Sequence, residues 1–155
     1  PTEEFVIVER MTGALQAVQE VLTTDKLLAL QQTVDRVYAD PALIEYAVRL
    51  VTATRHPQDY GLKDMGRYIM FGASPRASIN LILAARALAF VRGRSYALPQ
   101  DVLDLALDVI RHRIVLSYEA LSDNVSADEL LKKILGRIPT PEVPLHEHAN
   151  ARANA

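Results

Sequence analysis

Arg76 is the residue whose type and position are most suggestive of chemistry. It stands in "MFGASPRASINLILAARALAF", residues 70 to 90, directly after Gly72, Ala73, Ser74 and Pro75 and directly before an almost wholly apolar run. Serine followed by proline is a helix-start signature, with Ser74 as N-cap and Pro75 at the first helical position, where its missing N–H leaves no bond unmade. Gly72 and Ala73 allow close approach of the backbone. A guanidinium in the first helical turn stands at the positive end of the helix dipole, which is unfavourable unless an anion is supplied. That anion is either a carboxylate of the same domain or a phosphate, since free N–H groups and a planar five-donor fork together suit phosphate well.

Other candidate chemistry is sparse. The chain contains no G-x-x-x-x-G-K-[ST] loop, no G-x-G-x-x-G, no H-E-x-x-H and no G-x-S-x-G, so no catalytic centre is expected from it alone. It has no cysteine, which excludes disulfides and thiolate metal sites. His146 and His148, in the C-terminal "HEH", could hold a metal weakly, but a pair in such a tail is expected to be incidental, and no metal site is assigned. Arg111-His112-Arg113 lies at the end of a helical pattern, where basic residues complement the dipole; the functional alternative is contact with a partner subunit or a phosphate.

The elements that must position Arg76 are helical. Half of the residues are hydrophobic and only 6% aromatic, with abundant Ala and Leu, a composition that fits one soluble all-α domain. A first helix is expected over 2–11, with Thr2 as cap and Gly13 beyond its end. Residues 14–22 read as a loop, and a second helix follows from Thr23 or Thr24 to about Tyr38. Asp40-Pro41 launches a third, to about Arg55. Residues 57–68 read as a surface loop, a candidate partner contact. The helix at 75–92 is apolar on most of its circumference and is expected at the centre of a bundle of about five to six helices. Gly93 is its C-cap, with Arg92 and Arg94 near the negative end of its dipole. Pro99 starts the next helix from a poor cap, Leu98, with Asp101 able to accept backbone hydrogen bonds. Ser126 and Glu129 form a capping box for a last helix, closed by Gly136. Residues 139–155 read as a flexible tail.

Seventeen basic against nineteen acidic residues leave a charge of −2, so no global field draws in nucleic acid or an anionic membrane, and neither is an expected partner. No uninterrupted apolar stretch is long enough to span a bilayer.

"FGASPRASINLILAARALAFVRGRSYALPQDVLDLALDVIRHRIVL" resembles the C-terminal lid of the MoxR-type AAA+ ATPases, with their G-A-S-P-R-A stretch, A-A-R-A-L-A core, G-R-x-Y-V-x-P-x-D-V turn and R-H-R-I ending. "PTEEFVIVERMTG" is similar to the segment after that family's sensor and arginine-finger region, and the likeness extends to about residue 118. It implies a lid domain over 1–138 and a sensor-2 role for Arg76, within the phosphate-facing stretch Gly72, Ala73, Ser74, Pro75 and Arg76. It also implies ATP and Mg²⁺ as cofactors of a full-length protein, held by an upstream α/β domain of the same chain. The chain, opening at Pro1 without methionine, is expected to be a cut piece that binds no cofactor and hydrolyses nothing by itself. Neighbouring subunits of a ring, clients of a chaperone-like remodelling activity, a von Willebrand factor A-domain protein and a cytoplasmic location are further implications. Leu98 departs from the family's Thr-like cap. The near alternative is a magnesium-chelatase-type lid; the alternative of another class is a free-standing helical interaction module, such as a helix-turn-helix DNA binder.

Overall fold

The computed structural model describes residues 2–13 and 19–142. Among these are seven α-helices and one two-stranded sheet: α1 (Thr2–Thr12), α2 (Thr24–Asp35), α3 (Pro41–Arg55), β1 (Ile69–Phe71), α4 (Pro75–Val91), α5 (Pro99–Ile110), β2 (Val115–Leu116), α6 (Tyr118–Ser122) and α7 (Ala127–Arg137). The chain divides into two compact units, the first up to Gln31 and the second from Gln32.

In the first unit, α1 has Glu3 and Glu4 in its opening turn and Arg10 in its last, each complementing the dipole. Thr2 is already helical. The helix buries no residue and exposes Phe5, Ile7 and Met11. Residues 14–18 of the expected loop lie outside the described residues, and 19–22 belong to no helix. Thr23 caps α2, its hydroxyl accepting from the Lys26 N–H at 3.3 Å.

The second unit is built around α4, which packs on both α3 and α5, while α7 closes against α3 and α5. Asp40 caps α3 as its sequence indicates, accepting from the Ala42 N–H at 2.8 Å. Leu43, Leu50 and Val51 of α3, Leu81 and Ala85 of α4, Val102 and Ala106 of α5, and Leu130, Leu131 and Ile134 of α7 are fully or almost fully buried and form one core. Alanines at 77, 85 and 89 let α4 lie close to its neighbours.

Several expectations are corrected. The central helix is buried along one face, at 77, 81, 82, 85 and 89, and half-buried over much of the rest, while Ile79, Leu83 and Val91 are exposed. Helix α2 stops at Asp35, short of Tyr38, because the Tyr38 backbone pairs instead with the turn before α5, through Tyr38 N–H to Ser95 O at 2.9 Å and Ala97 N–H to Tyr38 O at 2.8 Å. Residues 57–68 lie largely at the surface, as expected, but form two 3-10 turns, Pro57–Tyr60 and Lys63–Tyr68, anchored by buried Pro57 and Met65. Gly61 between them takes φ of 74°, a left-handed value that glycine adopts without strain. Gly136 does not end the last helix, which continues to Arg137 and leads into buried Ile138; the Arg137 guanidinium donates to Tyr60 O at 3.0 Å.

The capping box is present, with Ser126 N–H to Glu129 Oε2 at 2.8 Å and Glu129 N–H to Ser126 Oγ at 3.2 Å. The antiparallel strands β1 and β2 and the short α6 have no counterpart in the sequence reading. Residues 143–155 of the tail, including His146 and His148, lie outside the described residues.

Candidate functional site

The turn that carries Arg76 is locked onto the end of α3. A Cβ on Gly72 would lie 2.3 Å from the Thr54 carbonyl oxygen and 2.7 Å from the Arg55 nitrogen, so only glycine lets the two backbones meet. Buried Thr54 uses its hydroxyl twice, donating to Val51 O at 2.6 Å and accepting from the Ala73 N–H at 2.9 Å. Arg55 completes the clamp, with Nη1 donating to Ala73 O at 2.5 Å and Nη2 to Thr52 Oγ1 at 3.2 Å. Both backbone groups of the fully buried Ala73 are thereby satisfied by two consecutive α3 side chains, which leaves the turn little freedom. Glycine at 72 thus serves packing against α3, where its sequence alone suggests close approach to whatever lies in front.

From this base the chain enters α4. Ser74 occupies the N-cap position with extended backbone, but its hydroxyl makes no capping bond, and Pro75 stands at the first helical position. Ser74, Pro75 and Arg76 are exposed, whereas Ala77 is fully buried. Among the described residues the Arg76 side chain makes no hydrogen bond or ion pair. The carboxylate of the same domain that could have neutralised it is absent there.

At the other end of α4 the arginines are fully engaged. Gly93 takes φ of 73° and reverses the chain. Arg94 grips Asp101 with both arms, Nη1 to Oδ2 at 2.8 Å and Nη2 to Oδ1 at 2.6 Å. Arg92 reaches Asp101 Oδ1 at 2.8 Å and Asp104 Oδ2 at 2.6 Å. Asp101 Oδ2 also accepts the Leu98 N–H at 2.8 Å, so a side chain three residues on supplies the cap that leucine cannot. Burial alone would raise the Asp101 carboxyl, but hydrogen bonds from Arg94, the Leu98 N–H and Arg92 together hold it below the ordinary carboxylate range. Asp104 is held low by Gln100 and then Arg92. Arg92 and Arg94 stand at the negative end of α4, and an ion-pair network that the dipole reading did not include engages both.

Arg111-His112-Arg113 forms a 3-10 turn after α5. Arg111 pairs with Asp108 and lies 3.6 Å from Asp128, and Arg113 Nε donates to Val109 O at 2.9 Å, so both arginines serve the helix end. Among the described residues there is no group of three or more His, Cys, Asp and Glu placed to hold a metal, and no helix long and apolar enough to cross a membrane.

Sequence reasoning singles out Arg76 as a candidate but misses Thr54 and Arg55, which hold the turn before it. The signal was present as a threonine and an arginine closing α3, but nothing local says that they reach nineteen and eighteen residues along the chain.

Residues 63–134 match the AAA lid domain family. The chain is 43% identical over 143 residues to Chaperone MoxR1 of Mycobacterium tuberculosis, covering 92% of this chain and 38% of that protein. It is 39% identical over 110 residues to Protein MoxR of Paracoccus denitrificans, covering 67% of this chain and 32% of the relative. A crystal structure of a candidate ATPase from Cytophaga hutchinsonii superposes with a TM-score of 0.79 at 34% identity, over 91% of this chain and 43% of that one. The chain spans about two fifths of the length of the curated relatives it matches first. With its helical architecture, its G-A-S-P-R turn and these relatives, the chain belongs to the MoxR-type AAA+ ATPase family, in the lid domain.

Proposed function

We propose that this chain is the sensor-2 lid of a MoxR-type ATPase, with residues 1–138 as the lid domain, and that Arg76 is its contact with the phosphates of ATP. The observation that carries the reading is the contrast around Arg76: an exposed guanidinium without a partner among the described residues, on a turn held rigidly by Thr54 and Arg55. A cation kept at the positive end of a helix is unfavourable by itself and becomes favourable once a phosphate is in place. Gly72 to Pro75 fix where the guanidinium starts, so binding orders one side chain rather than a loop.

ATP supplies the phosphoanhydride to be cleaved, and an α/β domain of the same protein supplies its cradle and the ligands for Mg²⁺. The lid's part is to neutralise phosphate charge and to turn as that charge changes. Lid rotation would be passed to neighbouring subunits of a ring and used for chaperone-like remodelling of client proteins, in the cytoplasm and with a von Willebrand factor A-domain protein as one class of partner. The MoxR1 relative is itself described as a chaperone.

The test is Arg76→Ala in the ATPase that carries this lid. Loss of one well-placed charged donor lowers turnover by about a hundredfold or more. Wild-type turnover in the variant would remove Arg76 from the nucleotide site.

A further inference from the structure

A second candidate site lies at the opposite end of α4 from Arg76. The residues that follow α2, the last turn of α4 and the Gly93 reversal enclose a pocket of about 390 Å³. Its floor is apolar, from buried Val37 and half-buried Phe90. Ser95, Arg36 and Arg94 are its polar lining, with Arg36 exposed and Arg94 and Ser95 half-buried.

These two arginines differ in what they can still do. Arg94 is bound on both arms by Asp101, so it forms a fixed and neutralised wall. Arg36 is exposed and, among the described residues, makes no ion pair. The pocket is held open by structure on both sides: the paired backbones of Tyr38 with Ser95 and Ala97 tie the two walls together, and the Arg92, Arg94 and Asp101 network fixes the reversal. An apolar floor with one available cation at its rim complements a ligand that is apolar at one end and anionic at the other. The volume admits a few amino-acid side chains.

We propose that this pocket is a docking site for a peptide segment of a partner protein in which an apolar side chain stands next to a carboxylate, the apolar group covering Val37 and Phe90 and the carboxylate pairing with Arg36. The site is independent of the Arg76 reading, since it needs no nucleotide and can be tested on this chain alone.

The experiment is a titration of the ¹⁵N-labelled chain with Ac-Ala-Leu-Glu-Ala-NH₂, with its Leu-Gln counterpart and with inorganic phosphate, followed through amide shifts. The acidic peptide should give saturable shifts centred on Val37, Phe90, Gly93 and Ser95, and should bind about two- to fivefold more tightly than the Gln peptide, the advantage expected of a partly exposed ion pair. Arg36→Gln should abolish the difference, and Arg36→Glu should reverse it in favour of a Leu-Lys peptide. Arg36 is exposed, so neither change disturbs the core. Equal binding of the Glu and Gln peptides, shifts spread away from the pocket, or no saturation would each overturn the proposal. So would phosphate alone producing the same shifts and competing with the peptide, which would make the pocket a simple anion site.

Discussion

The two ends of α4 use arginine in opposite ways. At the C-terminal end, Arg92 and Arg94 converge on Asp101 and Asp104, and every guanidinium arm named there has a carboxylate or carbonyl partner. At the N-terminal end, the backbone is clamped to α3 by Gly72, Ala73, Thr54 and Arg55, while Arg76 itself is left to solvent. In one case the charge is used up in holding a turn; in the other the turn is held by other groups and the charge remains available. The difference separates arginines whose charge is spent within the fold from one whose charge is not, without reference to any relative.

Breaking the satisfied end should have the largest effect on stability. Asp101 is fully buried and serves two arginines and one backbone N–H, so Asp101→Ala leaves the Leu98 N–H uncapped and takes a carboxylate from Arg92 and Arg94, which keep only Asp104 and Tyr96 O. Removing one partner of a buried ion pair costs about 3 to 5 kcal/mol, and the low end applies here because both guanidinium groups reach solvent. Thermal or urea unfolding of the isolated chain measures it. A loss well under 1 kcal/mol would mean that the network is ornamental.

Next is the clamp at the other end. Gly72→Ala places a methyl group 2.3 Å from the Thr54 carbonyl, and the neighbour is backbone, which cannot swing aside. The substitution should cost about 1 to 3 kcal/mol through overpacking. In the ATPase that carries this lid, it should also lower turnover by displacing Arg76. If stability falls while turnover is unchanged, the turn is not what positions the guanidinium.

Acid should distinguish the two ends. Asp101 and Asp104 are held below their ordinary values, so each binds a proton less readily in the folded chain than in the unfolded one. Their contribution is in full force above the unfolded value of about 3.9 and is lost as pH falls through the lowered folded values. Unfolding temperature measured from pH 6 to pH 3 should therefore drop in the acid range, and Asp101→Asn should flatten that drop. Arg76→Ala should leave the profile unchanged, because no carboxylate titrates against it among the described residues.

Legibility from sequence follows the range of the interaction. Asp40 with Pro41, Ser126 with Glu129, and Asp101 as an acceptor in the first turn of α5 were all readable, because each bond closes within a few residues. Arg76 was readable for the same reason, since a cation after Ser-Pro is anomalous on local grounds. Long-range pairings were not. The Ile69 to Leu116 register of β1 and β2 joins strands too short for any alternation to show. The two 3-10 turns between α3 and β1 look like a loop because only Pro57 and Met65 are fully buried, while Tyr60, Leu62 and Tyr68 pack on the core at no helical or strand spacing. Gly136 was read as a stop because glycine commonly ends helices, but here packing of Leu131, Ile134 and Ile138 carries the helix past it. Arg92 and Arg94 were placed correctly at the negative end of a helix, but their carboxylate partners were not readable, since these lie seven to twelve residues further on.

The smallest expected change is the most informative. Arg76→Ala in the isolated chain removes an exposed cation from the positive end of a helix, with no described partner to strand and alanine the better helix former. Its stability should lie within about 0.5 kcal/mol of the wild type, shifted if anything upward. Urea unfolding at low ionic strength, where the dipole effect is least screened, is the sensitive measurement. A rise with the variant means that the chain keeps a slightly destabilising charge, which is what a residue retained for an external anion does. A loss of 1 kcal/mol or more would mean that Arg76 supports the fold as Arg94 does, and the contrast between the two ends of α4 would collapse.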